Sequence, residues 1–435
     1  MTWAVLLLVA IGLLLALLFS GVKVFVGFLV LNIVGLLVLI GPRGFGLFTN
    51  SLFETATSAP LLTVALFVLM GEILFRSGTV DILFDSVDRL VGNLRGRLYV
   101  VVITLSTVFG ALSGSAVAVA ATLGRSVQPL MRSRGYDDKL SAGTILAGAS
   151  LAPIIPPSLL AIIVGSLADV SIAGLLVAGL IPGLLFATLT LIYVFARASQ
   201  KPAERPVETE GEAAPKGSAV MALLRMVPFL VVIASVMGLI VAGIATPSES
   251  AATGVLGALV VAALFGRLKF SMVREAFAAA VTTTVVILII VCSAKLFSQL
   301  LSFAGATRGL VSLAGALDLG PDVTFLILMV IPFLLCMFID QIAFMLLAIP
   351  IYQPIVQEMG YDPVWFWTLF LINLTVGSLT PPFGYTLFAL KGAQEDITTG
   401  TVFAAAWPVV GVFIAGMVAL WAAPILVTAL PNALR

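Results

Sequence analysis

Polar residues along this chain are brief interruptions of long apolar runs, and runs of about 20 apolar residues are the unit that spans a bilayer. "MTWAVLLLVAIGLLLALLFSG" opens the chain without the positive region of a signal peptide and reads as a first transmembrane helix, Trp3–Phe19. Helices are predicted next over Val22–Ile40 and, after a turn at "GPRG", over Ser58–Phe75. The pattern then changes at "TVDILFDSVDRLV": Val80, Leu83, Phe84, Val87, Leu90 and Val91 share one helical face, with Asp81, Asp85 and Asp88 on the other. That is an amphipathic helix lying in the membrane interface. Two short apolar segments, Leu98–Leu112 and Ala116–Met131, flank Ser113, Gly114 and Ser115. Each is short for a span, so the pair predicts a re-entrant hairpin with a polar tip.

Next comes a helix over Leu140–Ser166, broken at "APIIPPSLLAI" by Pro153, Pro156 and Pro157, with Ser158 following. A helix over Ser171–Arg197 leads to "SQKPAERPVETEGEAAPKGS", a polar linker rich in Pro and Glu. Helices follow at Met221–Ile244, Ser250–Phe265 and Ala276–Phe303. A second hairpin is predicted over Asp322–Phe338 and Ile342–Val356, with Ile339, Asp340 and Gln341 at its tip. A second broken helix, Pro363–Leu390, carries Thr380, Pro381, Pro382 and Gly384 in "GSLTPPFGYTL", and a last helix covers Phe403–Val427.

The two halves share a register. "PLMRSRGYDDKL" from Pro129 resembles "PIVQEMGYDPVW" from Pro354, an offset of 225 positions that also carries Gly135, Tyr136 and Asp137 to Gly360, Tyr361 and Asp362. The same offset takes Pro156 and Pro157 to Pro381 and Pro382, and Ser115 to Asp340. Five crossings lie between the hairpins, so the second enters from the opposite face. The chain is therefore expected to be an all-α polytopic membrane protein with inverted structural repeats, two re-entrant hairpins and two broken helices.

Charge supports this map. With the linker in the cytoplasm, seventeen Lys and Arg fall inside, against Arg43, Arg308 and Arg435 outside, and both termini are periplasmic. The expected division is residues 1–92, scaffold helices and the interfacial arm; 93–197, the first transport repeat (hairpin 97–131, broken helix 140–166); 198–220, the cytoplasmic linker; 221–317, second scaffold half; and 318–435, the second transport repeat (hairpin 322–357, broken helix 363–390) with the last helix.

Composition narrows the chemistry. The 435 residues are 61% hydrophobic and 10% charged, with net charge +1, which indicates a lipid bilayer as partner and no nucleic acid. The chain has no His, which removes the commonest general base and transition-metal ligand. Cys292 and Cys336 lie in apolar runs and read as small hydrophobes. No nucleophile–base constellation, Walker loop or zinc spacing is present, so an enzyme is not expected and no cofactor is called for.

A helix broken at mid-membrane leaves carbonyls orphaned on its first half and amides on its second. Such ends hold cations such as Na⁺ and face anionic groups, respectively. The interruptions form two pairs: Ser113, Gly114 and Ser115 with Pro153–Ser158, and Asp340 and Gln341 with Thr380–Pro382. One cation site is expected in each pair, with an anionic substrate between them. Ser115, Arg125, Asn373 and Gly384 are the candidate substrate contacts. Several ionisable residues have apolar surroundings, which defaults to a functional hypothesis. Arg125 either grips a carboxylate or pairs with protein; Asp340 is an ion-linked carboxylate or a helix cap; Lys295 snorkels or pairs with an acid; Glu54 and Glu72 sit near helix ends.

At these residues the chain resembles the large membrane subunit of tripartite ATP-independent periplasmic (TRAP) transporters. The matching passages are "LSGSAVAVAATLG", "PLMRSRGYD", "PIIPPSLLAIIVG" and "LLVAGLIPG", then "IDQIAFMLLAIPIYQPIV", "GYDPVWF" and "INLTVGSLTPPFGYTLFALKG". The resemblance covers essentially the whole chain. It implies secondary uptake of organic acids (C4-dicarboxylates, sialic or other sugar acids) across the bacterial inner membrane, driven by Na⁺ as coupling ion. It also implies a periplasmic substrate-binding protein, a separate small membrane subunit and an elevator-like motion of the hairpin-bearing domain. Cation roles then fall on Ser113–Ser115, Pro156-Pro157, Asp340 and Thr380–Pro382. Three positions depart from the family pattern: Gln341 stands where Pro follows the hairpin Asp, no acid stands near Thr375, and Pro153 replaces a more usual Gly. The alternatives are a stand-alone carboxylate carrier or H⁺-coupled exchanger of related fold, and a non-transporting membrane scaffold.

Overall fold

The computed structural model describes residues 3–91, 96–199, 219–317, 319–394 and 396–433. Residues 200–218 of the linker expected at 198–220, and residues 92–95, lie outside these. Among the described residues the regular secondary structure is all helix, without strands.

The first half begins with α1 (Trp3–Phe19), α2 (Val24–Leu39), α3 (Phe45–Ala56), α4 (Ala59–Arg76) and α5 (Thr79–Val91). It continues with α6 (Arg97–Ser113), α7 (Ala116–Ser126), α8 (Gln128–Ser133), α9 (Asp138–Leu151), α10 (Leu159–Leu167), α11 (Ile172–Ala178) and α12 (Leu180–Ser199). The second half holds α13 (Ala219–Val241), α14 (Pro247–Leu264), α15 (Phe270–Phe303), α16 (Ala306–Leu317), α17 (Gly320–Leu335) and α18 (Gln341–Glu358). It ends with α19 (Pro363–Ser378), α20 (Tyr385–Ala393), α21 (Thr399–Ala422) and α22 (Ile425–Ala433). Among the described residues, five helices are long and apolar enough to cross a membrane, or six if the pair 42–56 and 61–76, bent by 48°, is one span.

The bounds of the elements follow the 225-residue offset well beyond the motifs. It brings α2 onto α14, α3 with α4 onto the single 34-residue α15, and α5 onto α16. It continues with α6 onto α17, α9 onto α19 and α10 onto α20. Both Pro156-Pro157 and Pro381-Pro382 have cis peptide bonds.

The shared Gly-Tyr-Asp motif has a local cause. Gly135 and Gly360 adopt φ of 75° and 66°, the left-handed conformation that closes a helix and that side chains resist. Asp137 then caps α9 by accepting from the Leu140 amide at 2.7 Å, and Asp362 caps α19 from the Trp365 amide at 2.9 Å. The intervening tyrosine ties the cap to the hairpin base: Tyr361 donates to the Pro321 carbonyl, and the Tyr136 hydroxyl accepts from the Leu98 amide.

The centre of the molecule is built from α9 and α19. Every residue from Val364 to Ser378 is buried, as is every one from Ser141 to Leu151. A helix apolar all round has no face to give water and belongs inside. Around this centre, α7 packs on α9 and α20, α21 on α9 and α12, and α6 on α9. A second layer forms where α4 packs on α14 and α15, α13 on α14, and α15 on α2 and α3.

Two helices, α3 and α16, were not expected from the hydropathy pattern. Asp88 also departs from its expected place on the polar face of α5. It is buried and joined to Arg97 at the start of α6 by two hydrogen bonds, with both side chains only 8% exposed. The apolar face of α5 is covered by α6 and α13.

Candidate functional site

Each hairpin tip meets its own broken helix. Ser113 ends α6, Gly114 takes φ of 62°, and Ser115 caps α7 by accepting from the Ala118 amide at 3.3 Å. A methyl group on Gly114 would lie 3.2 Å from the Leu159 nitrogen and 3.8 Å from the Pro157 carbonyl, so the tip rests directly on the break. Gly110, one turn earlier, approaches the backbone of Ala152 as closely.

Residues 152–158 are all buried. The Ser158 hydroxyl closes this break, donating to the Pro153 carbonyl at 2.5 Å and accepting from the Ala161 amide at 3.2 Å. Pro153 therefore supplies the acceptor that orients the cap of α10. Gly179 and Gly183 leave room for Ile154 and Ile155, so the break is wedged against α11 and α12.

The second pair is joined differently. Asp340 caps α18, one carboxylate oxygen accepting from the amides of Ile342 at 2.9 Å and Ala343 at 3.3 Å. Gln341 is buried and spends both amide hydrogens on α19: Nε2 donates to the Ser378 hydroxyl at 2.7 Å and to the Leu374 carbonyl at 3.2 Å. Ser378 in turn donates to the Thr375 carbonyl at 2.8 Å, and Thr380 to the Val376 carbonyl at 2.6 Å. Here Gln341, in place of the Pro that the resemblance led one to expect, links tip to break. Ser378 carries no signal of this in the sequence.

Gly384 has a specific reason to lack a side chain. A methyl group there would stand 2.5 Å from the Ser378 carbonyl oxygen and 3.0 Å from that of Thr380. The second break thus gathers backbone oxygens into a space that only glycine leaves open. Hard oxygen donors of this kind suit an alkali cation. Pro382 and Phe383 are exposed, whereas the first break is sealed.

The remaining candidates are spread more widely. Asn373 is buried and donates to the Met329 carbonyl, tying α19 to α17. Arg125 is exposed in the last turn of α7, beside the Gly124 carbonyl that accepts from Gln394. Lys295 pairs with Glu54 of the same chain at 3.3 Å, and Glu72 with Arg76 at 2.7 Å.

A protein-family model described as "Tripartite ATP-independent periplasmic transporter, DctM component" matches residues 11–426. The chain belongs to this family. It is thus the large permease of a TRAP transporter, a multi-pass membrane protein and not an enzyme. Among curated relatives, the ectoine TRAP transporter large permease TeaC of Halomonas elongata is 31% identical over 378 residues, 85% of this chain and 87% of that protein. The C4-dicarboxylate TRAP transporter large permease DctM of Pseudomonas aeruginosa is 28% identical over 384 residues, 88% of each chain. Among solved structures, the Alcanivorax borkumensis YdaH transporter, whose topology is described as unusual, superposes with a TM-score of 0.64 over 88% of this TRAP permease and 89% of that chain. At 15% identity that likeness concerns the fold alone.

Proposed function

We propose that this TRAP permease carries a carboxylate-bearing solute across the bacterial inner membrane by Na⁺-coupled secondary transport. A periplasmic substrate-binding protein delivers the solute, and a small membrane subunit completes the transporter. The observation that carries this reading is that both hairpin tips reach their own Pro-Pro break, giving two symmetry-related sets of helix ends.

Within each set the roles divide by dipole. The carbonyl ends of α9 and α19 and the unwound backbone at Pro153–Ser158 and Thr380–Pro382 hold the coupling ion. The amide ends of α7, α10, α18 and α20 face the solute carboxylate. The Ser378 and Thr380 carbonyls around Gly384 form the second ion site, with the Asp340 charge beside it. Ectoine and C4-dicarboxylates, the solutes named for the two relatives, share a carboxylate group, which supports this class of cargo.

Motion follows from an asymmetry. The first hairpin meets the scaffold through its entering arm α6, which packs on α4 and α5, whereas the second meets it through its returning arm α18, which packs on α15 and α16. In an inverted repeat the opposite state exchanges these environments, carrying residues 93–197 and 318–435 as an elevator against the scaffold of 1–92 and 221–317. The linker at 198–220 lies in the cytoplasm, and both termini lie in the periplasm.

The test is reconstitution in liposomes with the small subunit and cognate binding protein, following labelled acid with and without an inward Na⁺ gradient. Uptake is expected only with both the gradient and the binding protein. Vigorous uptake without the binding protein would overturn the tripartite reading, and indifference to Na⁺ the ion assignment.

A further inference from the structure

The 225-residue offset also pairs two turns between helices. Gly41 after α2 corresponds to Gly266 after α14, and both take the left-handed conformation, with φ of 78° and 65°. Phe45 at the start of α3 corresponds to Phe270 at the start of α15. The backbone device is shared, but the charge is not. "GPRGFGLFT" carries Arg43 alone, whereas "GRLKFSMVR" carries Arg267, Lys269 and Arg274.

Packing brings a fourth cation to the second turn. A methyl group on Gly257 would lie 2.8 Å from Cγ2 of Val232, and one on Gly254 2.8 Å from Cγ2 of Val236, so α13 and α14 run antiparallel. Further along, Phe229 stacks on Phe265 with ring centroids 5.8 Å apart. Arg225, one turn before Phe229, is thereby carried to the turn after α14. Arg225, Arg267, Lys269 and Arg274 are all exposed, and none pairs with an acid among the described residues. The acid in this stretch, Glu275, lies 3.6 Å from Arg76.

These cations border an apolar surface. Leu224 is 56%, Leu264 67%, Leu268 45% and Phe270 86% exposed. Such a rim suits apolar side chains that enter hydrocarbon while neighbouring basic groups reach headgroups. Charge bias between loops fixes topology during insertion and by itself leaves no lipid preference in the folded protein. Four cations gathered at one turn do leave one, since each basic side chain near an anionic surface changes binding about fivefold.

We propose that the turn between α14 and α15, with Arg225, is a binding site for anionic phospholipid. Arg225, Arg267, Lys269 and Arg274 hold the phosphate, and the acyl chains lie along Leu264, Leu268 and Phe270. The matching turn at Arg43 is not such a site. The lipid ties α13, α14 and α15 to one leaflet, the cytoplasmic one in the orientation given above. The site itself does not depend on which solute is carried.

The test uses the chain with its small subunit in nanodiscs whose two leaflets have the same composition. These contain phosphatidylcholine and a tracer, either phosphatidylglycerol or phosphatidylcholine, spin-labelled near the top of one acyl chain. A fluorophore is attached at Ser271→Cys or at its offset counterpart, Gly46→Cys. Both positions are exposed, a methyl group on Gly46 meets nothing within 4 Å, and the native cysteines are buried. Quenching at position 271 is expected to show about a tenfold or greater preference for phosphatidylglycerol, and quenching at position 46 none. Arg267→Gln and Lys269→Gln are each expected to cut the preference about fivefold. Raised salt is expected to lower it in the unaltered sequence background, which keeps the proposal falsifiable should a glutamine variant fail to fold. Equal preference at the two positions would overturn the proposal, as would a preference unmoved by glutamine or by salt. Solute uptake is read separately in liposomes, so a chain that selects the lipid without carrying an acid sinks the functional reading alone, and the reverse result sinks this inference alone.

Discussion

Gln341 Nε2 donates to the Ser378 hydroxyl at 2.7 Å and thereby joins the second hairpin tip to the last turn before the second break. Both partners are buried, so truncation strands polar groups rather than merely removing a bond. Gln341→Ala is expected to cost about 1–3 kcal/mol, because the Leu374 carbonyl also loses its donor. Adding Ser378→Ala should cost less than the two single changes together, because they share one bond. Thermal unfolding of the four variants in detergent measures this coupling; strict additivity would refute it.

Asp88 and Arg97 give a second, sharper case. Their bidentate pair is buried between the arm helix α5 and the first arm of the hairpin, and the offset places Leu313 and Asp322 at the corresponding positions. Removing one member leaves a buried charge, at about 3–5 kcal/mol, whereas removing both restores neutrality. Arg97→Leu alone should therefore unfold at a clearly lower temperature than Asp88→Leu with Arg97→Leu. A double variant no more stable than the single one would refute the stranded-charge account of the loss.

Gly110 tests the contact between the first tip and its break. A methyl group there would sit 2.7 Å from the Ala152 Cα, a backbone atom that no rotamer change relieves. Gly110→Ala is expected to lower uptake several-fold at equal membrane abundance, while Gly12→Ala, whose methyl group meets nothing within 4 Å, leaves uptake unchanged. Equal uptake by the two variants would separate the tip from transport.

The hairpins and breaks were legible because Pro-Pro, Gly-Tyr-Asp and small polar tips fix the backbone locally, whatever surrounds them. Ser115, Asp137, Ser158, Asp340 and Asp362 all cap helices where those signals stand. α3 and α16 leave no hydropathy signal, because each is 12 residues with Gly, Ser and Thr among its apolar positions, far from a 20-residue run. The pairing of Asp88 with Arg97, and of Lys295 with Glu54, depends on how separate helices meet, which no local pattern carries.

Asp340 carries a prediction about coupling. It is the single acidic residue at the second tip, whereas Ser115 stands at the matching place in the first. Asp340→Asn keeps an oxygen for the Ile342 and Ala343 amides, so α18 retains its cap, but the acid beside the proposed second ion site is gone. The half-saturating Na⁺ concentration for uptake is expected to rise about tenfold or more, with expression nearly unchanged. An unaltered Na⁺ dependence would refute the ion-linked role.

The unequal exposure of the two breaks makes the direction of opening measurable. Phe383 is 58% exposed, whereas Ser158, its counterpart, is 1% exposed, and the native Cys292 and Cys336 are buried. A charged, membrane-impermeant thiol reagent should therefore modify Phe383→Cys quickly and Ser158→Cys slowly, with wild type as an unreactive control. If the repeats are inverted and the second hairpin enters from the periplasm, Phe383→Cys reacts from that side alone. Equal rates at the two positions would mean that the asymmetry between the hairpins is absent in the bilayer, and with it the ground for reading one side as open.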